Sequence, residues 1–335
     1  MSQATNFFPS QNVSVWIQNE TTVGTEPDDA ALTKLQVTSF TIPEASVPVE
    51  YSSQQTGSFV TKESQGHHSE GTKVWTFETT LRGTVTSVLL ATEAVMESST
   101  SEATLNNDYT FPHTGYSDGS TSSPKTFDIR FVNAGAKADT ETIEVAGCIG
   151  TGFTLSESVG SDGGELVCVI SWATAYMPQY SATDITSPAY DVGSPKNIRS
   201  LTSATDINDG SAEEIVLQSW ELSVQRTIER IHYKDTTAGS FVPFGYAMTG
   251  GFEVTGSLTV IRNEDVDDLR AKFYNGTTVD INIAEASGFA IALDKCFINE
   301  PSIDSSGAVL METIPFTVVA TDASASTKML GITIA

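Results

Sequence analysis

One short stretch has the residue types and spacing of a hydrolase site. GYSDG, Gly115 to Gly119, matches the G-x-S-x-G turn that exposes a nucleophilic serine. That turn needs a strand before it and a helix after it, whereas FPHT precedes this stretch and STSSPK follows it. We therefore interpret it as a loop and predict no catalytic residues.

Candidate metal ligands are equally sparse. DINDG, Asp206 to Gly210, places Asp206 and Asn208 at the spacing of calcium ligands, but Leu217 stands where the loop needs a bidentate glutamate. Adjacent His67 and His68 would point to opposite sides of a strand, so they are poorly placed to chelate one ion. We predict no metal site and no cofactor.

An acidic cluster, EDVDD from Glu264 to Asp268, also has a structural explanation. It falls on the first turns of a predicted helix, where the positive end of the helix dipole favours carboxylates. With no catalytic constellation elsewhere in the chain, we expect a protein that is not an enzyme.

The charge of the chain excludes one class of partner. Seventeen Lys and Arg residues against 42 Asp and Glu residues give 335 residues a formal net charge of -25. Binding to nucleic acid requires clustered basic residues, and an acidic surface repels DNA and anionic membranes. No apolar run reaches membrane-spanning length, the N-terminus lacks a signal-peptide pattern, and three cysteines are an odd count for a disulfide framework. We expect folding inside a cell.

An internal repeat is the strongest organisational signal. The word GSFV occurs twice, ending in Phe59 and Val60 and again in Phe241 and Val242. Six further segments match in the same order and at nearly constant spacing, which chance does not explain. They are VTSFTI with LQSWELSV, KVWTFETTLRG with GGFEVTGSLTV, VLLATEAVMES with the helix after Asn263, FDIRFV with VDINIA, IEVAGCIG with IALDKCFI, and two glycine-containing hairpins.

The two copies can be aligned residue by residue. Phe40 falls on Trp220, and Leu81 falls on Leu258. The equivalent cysteines are Cys148 and Cys296, which we interpret as small buried residues. The four tryptophans also lie in strand candidates and are expected in the core: Trp16, Trp75, Trp172 and Trp220.

Each copy contains one helix. In the second copy Asn263 is a good N-cap, and Asn275 with Gly276 is a good stop signal. In the first copy, Thr86 or Ser87 is expected to start the helix.

These patterns predict a mainly β protein of two tandem antiparallel β-sandwich or barrel modules, each with one flanking helix and a long inter-strand loop. We expect an N-terminal arm at 1–30, a first module at 31–179 with an exposed insertion at about 103–125, a linker at 180–213 and a second module at 214–335. The strand candidate VSVWIQ in the arm has no evident counterpart in the second copy.

The second copy resembles the major tail tube proteins of tailed bacteriophages. The stretches that carry the resemblance are SWELSVQRTIE, GGFEVTGSLTVIRNEDVDDLRAKFYNG and VDINI, followed by the terminal hairpin. The first copy resembles the family more weakly. The resemblance implies a structural subunit that self-assembles into stacked rings, here pseudo-hexameric trimers, around an acidic channel for DNA delivery.

The resemblance also implies partners and a location. The partners would be further copies of the chain and other tail proteins, such as the tape measure, the terminator, and the baseplate or tip. DNA would pass through without specific binding, and no membrane partner is expected. The location would be the virion tail, assembled in the bacterial host cytoplasm.

The repeated word provides candidate contacts between rings. Phe59, Val60, Phe241 and Val242 would bury against the next ring, or alternatively fold back onto their own cores. Other functions stay open: a tandem β-sandwich adhesin or carbohydrate-binding module, or another virion part such as a decoration protein or a tail terminator.

Overall fold

The protein is built almost entirely from antiparallel strands, as expected for the predicted mainly β class, which is confirmed. The computed structural model describes residues 13–21, 24, 32–43, 49–51, 66–68, 74–98, 100–106, 125–133, 142–160, 162–181, 189–208, 212–234, 241–320 and 328–335. Neither of the two helices in these stretches is long and apolar enough to cross a membrane.

The described residues of the first part of the chain form eleven strands and one α-helix. In chain order these are β1 Val13–Asn19, β2 Thr33–Lys34, β3 Val37–Phe40, β4 Val49–Tyr51, β5 Gly66–His68, β6 Trp75–Arg82, α1 Val85–Met96, β7 Glu102–Asn106, β8 Phe127–Asn133, β9 Thr142–Ser158, β10 Val167–Thr174 and β11 Gln179–Ser181.

The described residues of the second part form ten strands and one α-helix. They are β12 Ala189–Tyr190, β13 Asp206–Asn208, β14 Ala212–Glu214, β15 Leu217–Lys234, β16 Phe241–Ile261, α2 Glu264–Asn275, β17 Thr278–Ala284, β18 Ala290–Ile298, β19 Ser302–Asp304, β20 Met311–Val318 and β21 Lys328–Thr333.

Two groups of strands pair in the same order. The first strand set is β3, β6, β10, β9, β8 and β1, each antiparallel to the next. The second strand set is β15, β16, β20, β18, β17 and β13, again antiparallel throughout. The short strand β19 extends β18 along β20, so β18 and β19 together hold the place of the long β9.

The two sets also share their registers. The first strand of each set has a register shift at the same point, after Val37 in β3 and after Leu217 in β15. A further shift occurs after Phe127 in β8 and after Val279 in β17. We call two residues equivalent when they hold the same place in the two ladders.

Aromatic side chains join two layers in the first set. Phe131 of β8 lies with its ring centre 5.5 Å from Phe40 of β3 and 5.9 Å from Phe77 of β6. The four predicted tryptophans and the cysteines are all buried, and Trp172 and Trp220 lie with the cysteines in the main apolar core. Interdigitation of rings from facing sheets is the packing expected of a sandwich.

The caps of the helices partly follow the sequence. Asn263 accepts a hydrogen bond from the amide of Val266, and Gly276 ends α2 in the left-handed conformation, as predicted. The predicted start of α1 at Thr86 or Ser87 was wrong: Thr84 is its N-cap. Ser87 instead lies inside the helix: its amide donates to the Thr84 hydroxyl, and its own hydroxyl accepts from the Thr84 amide, which completes a capping box.

The residue alignment of the two copies also needs correction. Leu81 is equivalent to Val260, not to Leu258, because each lies at the same distance before the N-cap of its helix. The error is two residues, one full period of a strand. Side-chain alternation repeats every two residues, so the pattern alone cannot detect such a slip.

Two further expectations fail. The insertion at 103–125 was expected to be exposed, but Ala103 and Leu105 are buried where β7 pairs with β21; residues 107–124 lie outside the described stretches. The strand VSVWIQ has a counterpart after all, because β13 pairs with β17 as β1 pairs with β8. The domain boundaries stay a prediction.

Candidate assembly interface

One continuous run of strands crosses the molecule. It is β3, β6, β10, β9, β15, β16, β20 and β19, each antiparallel to its neighbours. The two strand sets meet within this run where β9 pairs with β15, a contact we call the internal seam. The run ends at β3 on one side and at β19 on the other.

The internal seam is buried and tightly registered. Leu222 lies opposite Leu155, and both are almost inaccessible to solvent. Two residues before Leu222, Trp220 lies opposite Glu157, and its indole Nε1 donates a hydrogen bond of 2.7 Å to the Glu157 carboxylate. The seam therefore combines a backbone ladder with apolar burial, which is how sheets gain stability.

Close backbone approach requires glycine in the adjoining part of β9. A Cβ atom on Gly152 would lie 2.9 Å from the Val224 carbonyl oxygen of β15, and one on Gly150 would lie 2.8 Å from the Ala94 carbonyl oxygen of α1. Any side chain at these positions would push β15 or α1 away. These two glycines allow β9 to pack closely against β15 and α1.

Arg226 of β15 anchors the second set to the first. Its guanidinium donates to the carbonyl oxygens of Gly150 at 2.9 Å and Ala94 at 2.8 Å, and to the Glu97 carboxylate at 3.0 Å. The Arg226 side chain is fully buried. A buried guanidinium needs this many acceptors because its desolvation is costly.

Glu97 holds an unusual backbone conformation to make this contact. It is the C-cap of α1 with φ of 58°, in the left-handed region where α2 has Gly276. Burial raises the pKa of Glu97, and the Arg226 charge opposes that effect. A non-glycine residue in this conformation is uncommon and is often explained by a side-chain contact; here the contact is with Arg226.

Tyr246 of β16 makes a second polar link across the sets. Its hydroxyl donates to the Gly147 carbonyl oxygen at 2.7 Å and accepts from the Ala175 amide at 3.1 Å. Burial raises the pKa of Tyr246 well above its usual range, so the phenol stays neutral. Gly147, with φ of 61°, lies in β9 between Val145 and Cys148, where the ladder with β8 shifts its register.

A pair of carboxyl groups lies beside the seam. Glu157 and Glu285 come from the first and the second part of the chain, and both are buried. Burial and the neighbouring Glu285 raise the pKa of Glu157 to about 9, while the Trp220 hydrogen bond opposes the shift. A buried carboxyl beside a second carboxyl is costly to ionise, so Glu157 keeps its proton at neutral pH.

A third contact between the sets lies away from the seam. β7, which follows α1, pairs with β21, and Leu105 lies opposite Leu330. Both leucines are fully buried. β21 also pairs with β18, so this contact ties the C-terminal strand to both parts of the chain.

The segment around Lys196 covers the end of the first set. The Leu166 amide donates to the Lys196 carbonyl oxygen, and the Gln36 side chain donates to the carbonyl oxygens of Asp191 and Gly193. Leu166 is fully buried as a result. Its equivalent Leu310, which directly precedes β20 as Leu166 precedes β10, is 47% exposed.

The candidate ring contacts are not brought together by the described residues. Phe59 and Val60 lie outside the described stretches. Phe241 and Val242 begin β16, opposite Lys234 and Tyr233 in the ladder, and only their backbone is described. Their contact with another ring or with their own core stays a prediction.

The structure describes one of the two candidate chemical motifs and not the other. GYSDG lies outside the described residues. Asp206 and Asn208 belong to β13, where they lie opposite Asn282 and Asp280 of β17 in a regular ladder. Among the described residues no cluster of three or more His, Cys, Asp or Glu side chains could hold a metal ion.

The sequence analysis did not predict that Arg226 and Glu157 make buried polar contacts between the two sets. For Arg226 a signal existed: the inward positions of β15 read Trp220, Leu222, Val224 and then Arg226. A charged residue on the apolar face of an alternating strand indicates a buried polar contact.

No protein-family model and no curated protein matches this chain. Among solved structures, a chain from the virion of a native gene transfer agent particle matches at 13% identity, covering 38% of this chain and 95% of that one, with a TM-score of 0.29. A chain from the C6-symmetric tail of an empty gene transfer agent particle matches at 15% identity, covering 38% and 96%, with a TM-score of 0.29. Similarity at this level carries no argument about fold or function.

Proposed function

We propose that this chain is a structural subunit of a bacteriophage tail tube, which self-assembles into stacked rings around a channel for DNA. The observation that carries the proposal is the internal seam. Two strand sets with one pairing order are joined edge to edge within the chain, and the same join repeated between chains would extend the sheet. A heterologous contact of this kind generates a ring when its rotation closes.

The two strand sets are, in this proposal, two copies of one module. Matching pairing order, registers and register shifts support that reading, together with the sequence resemblance of the second copy to tail tube proteins. Three chains would then form a pseudo-hexameric ring. An assembly of this kind would pair the two open ends of the strand run, β3 and β19, which lowers the aggregation hazard of exposed edges.

The acidity of the chain suits the proposed channel. A formal net charge of -25 disfavours adhesion of DNA phosphates to the wall, so DNA could pass without being held. The subunit would act without a cofactor, in the virion, with other tail proteins as its partners. Phe59, Val60, Phe241 and Val242 would contact the adjacent ring.

The proposal is tested by electron microscopy of the purified full-length protein, together with its molar mass by light scattering. We expect rings or tubes with threefold or pseudo-sixfold symmetry and a mass that is a multiple of three chains. An antibody against the chain should label virion tails along their whole length. A protein that stays monomeric, and virions labelled on the capsid or at one tail end only, would rule out a tube subunit.

A further inference from the structure

The two ends of the strand run carry equivalents of the residues that form the internal seam. On one side, Trp220 of β15 is equivalent to Phe40 of β3, because they pair with the equivalent residues Leu258 and Thr79. The next two residues on this side follow the same spacing, so Glu221 is equivalent to Thr41 and Leu222 to Ile42.

Equivalent residues can be assigned in the same way for the other side of the seam, from β9 to β19. Leu155 of β9 pairs with Cys168, and Ile303 of β19 pairs with Glu312. Cys168 and Glu312 are equivalent because each is the second residue of its strand, β10 or β20. The residues that follow Leu155, Ser156 and Glu157, are therefore equivalent to Asp304 and Ser305.

We propose that β3 of one copy pairs antiparallel with β19 of a second copy, in the register of the internal seam. Thr41 would then lie opposite Asp304, as Glu221 lies opposite Ser156. Ile42 would lie opposite Ile303, and Phe40 opposite Ser305. The inference rests on the proposed function, since it names the two edges through which the proposed ring closes.

The exposure of the two edges agrees with this pairing. All three residues of β19 are exposed, and Ile303 is 40% accessible although its equivalent Leu155 is fully buried under β15. Ile303 thus exposes an apolar side chain at the place where β15 covers Leu155 in the first set. An apolar strand edge of this kind is a site for strand addition.

The backbone of β3 is oriented to accept a partner. The Thr41 amide donates to the Glu78 carbonyl oxygen of β6 at 3.0 Å, so Thr41 uses its groups inside the sheet. In an antiparallel ladder the neighbouring residues face the other way, which directs the amides and carbonyls of Phe40 and Ile42 to the open edge. Among the described residues β3 pairs with β6 and with no other strand.

Disulfide trapping tests the register. Thr41 and Asp304 are both exposed, so Thr41→Cys and Asp304→Cys should fold, and the three native cysteines are buried. Directly opposed residues on antiparallel strands have Cα atoms about 4.5 to 5.5 Å apart, within the range of a disulfide. We expect a covalent dimer when the two single variants are mixed and oxidised, and a ladder of higher species from the double variant.

Three controls make the outcome specific. The double variant Glu221→Cys with Ser156→Cys should form its disulfide within one chain, since these residues are opposed in the internal seam. Thr41→Cys mixed with Ser302→Cys, two residues out of register, should give at least tenfold less dimer, because the Cα separation becomes about 7 to 8 Å. Neither single variant should cross-link to itself.

The results separate this inference from the proposed function. Self-cross-linking of either single variant would indicate an isologous edge contact and overturn the pairing. Rings or tubes without the Thr41–Asp304 disulfide would leave the tube function standing and refute the seam. The expected disulfide without rings or tubes would support the seam and refute the tube function, and the absence of both would refute both.

Discussion

The outer edge of β9 and the outer edge of β19 hold the same place in the two strand sets, yet only one of them is covered. Leu155 is fully buried under β15, whereas its equivalent Ile303 is 40% exposed. Leu166 and Leu310 differ in the same direction, at 0% and 47% exposure. The same ladder geometry is thus buried in the first set and exposed in the second, because β15 covers Leu155 and the segment around Lys196 covers Leu166.

The two helices show a parallel difference. α1 ends on Glu97 and α2 on Gly276, both in the left-handed conformation. Glycine satisfies the backbone without strain, whereas Glu97 places a carboxylate against Arg226 of the second set. The first set is therefore specialised for an internal contact that the second set does not make through its own C-cap.

The largest expected effect comes from breaking the anchor of the internal seam. Arg226→Ala should lower the free energy of unfolding by about 3 to 5 kcal/mol, because it leaves Glu97 Oε1 and the carbonyl oxygens of Gly150 and Ala94 without the donors that the guanidinium supplies. Urea denaturation followed by circular dichroism measures this loss. Arg82→Ala is the matched control: its ion pair with Glu165 is solvent-exposed, so the loss should stay below about 1 kcal/mol. Similar losses for both variants would contradict the anchoring role.

The next effect compares the equivalent leucine and isoleucine. Leu155→Ala should cost about 2 to 5 kcal/mol, because it opens a cavity in the seam. Ile303→Ala should change the stability of the isolated chain by no more than about 0.5 kcal/mol. The two variants should also differ in self-association, which sedimentation measures. Ile303→Ala should weaken association directly, whereas Leu155→Ala should act through the stability of the fold. Equal stability losses would mean that Ile303 is already covered within one chain.

A smaller effect concerns the carboxyl pair beside the seam. The pKa of Glu157 rises from 4.5 to about 9, so the folded chain keeps a proton that the unfolded chain releases above pH 4.5. The free energy of unfolding should therefore fall as pH rises from about 4.5 to about 9. Glu157→Gln needs no proton, so it should flatten this slope and stabilise the chain by about 1 kcal/mol at pH 8.

Chemical denaturation at several pH values checks the slope. Glu221→Gln is the control, because Glu221 is an exposed residue of the same seam and should leave the slope unchanged. A slope that persists in Glu157→Gln would show that another group carries the proton.

The smallest effect concerns the cap of α2. Gly276→Ala should destabilise the chain by about 1 kcal/mol, since an alanine at φ of 62° is strained. Gly251→Ala is the control: no atom lies near its Cβ position and its φ is not positive, so thermal melting should shift little. An unchanged melting temperature in Gly276→Ala would mean that the end of α2 frays in solution.

Much of the order of elements could be predicted, because it depends on local patterns. The α2 caps at Asn263 and Gly276 and the buried positions of the four tryptophans follow from residue types and alternation. The start of α1 was misplaced, because the capping box between Thr84 and Ser87 offers several plausible starts in the sequence.

Residue correspondence between the copies could not be settled by the sequence. Leu81 aligns with Leu258 or Val260 equally well by pattern, since a shift of two residues preserves the faces of a strand. Only the ladders and the helix caps choose Val260. The short β13, in a stretch without periodicity, had no signal strong enough to reveal it as the counterpart of β1.

The sequence by itself determined the mainly β class, the repeated order of segments and the acidic charge, because these depend on composition and short-range alternation. The tertiary structure alone decided which edges of the two sets meet and which stay open. That choice depends on contacts between residues far apart in the chain, such as Arg226 with Glu97 and Leu222 with Leu155. Local pattern contains no information on such long-range pairing, so the seam appears only when the chain is folded.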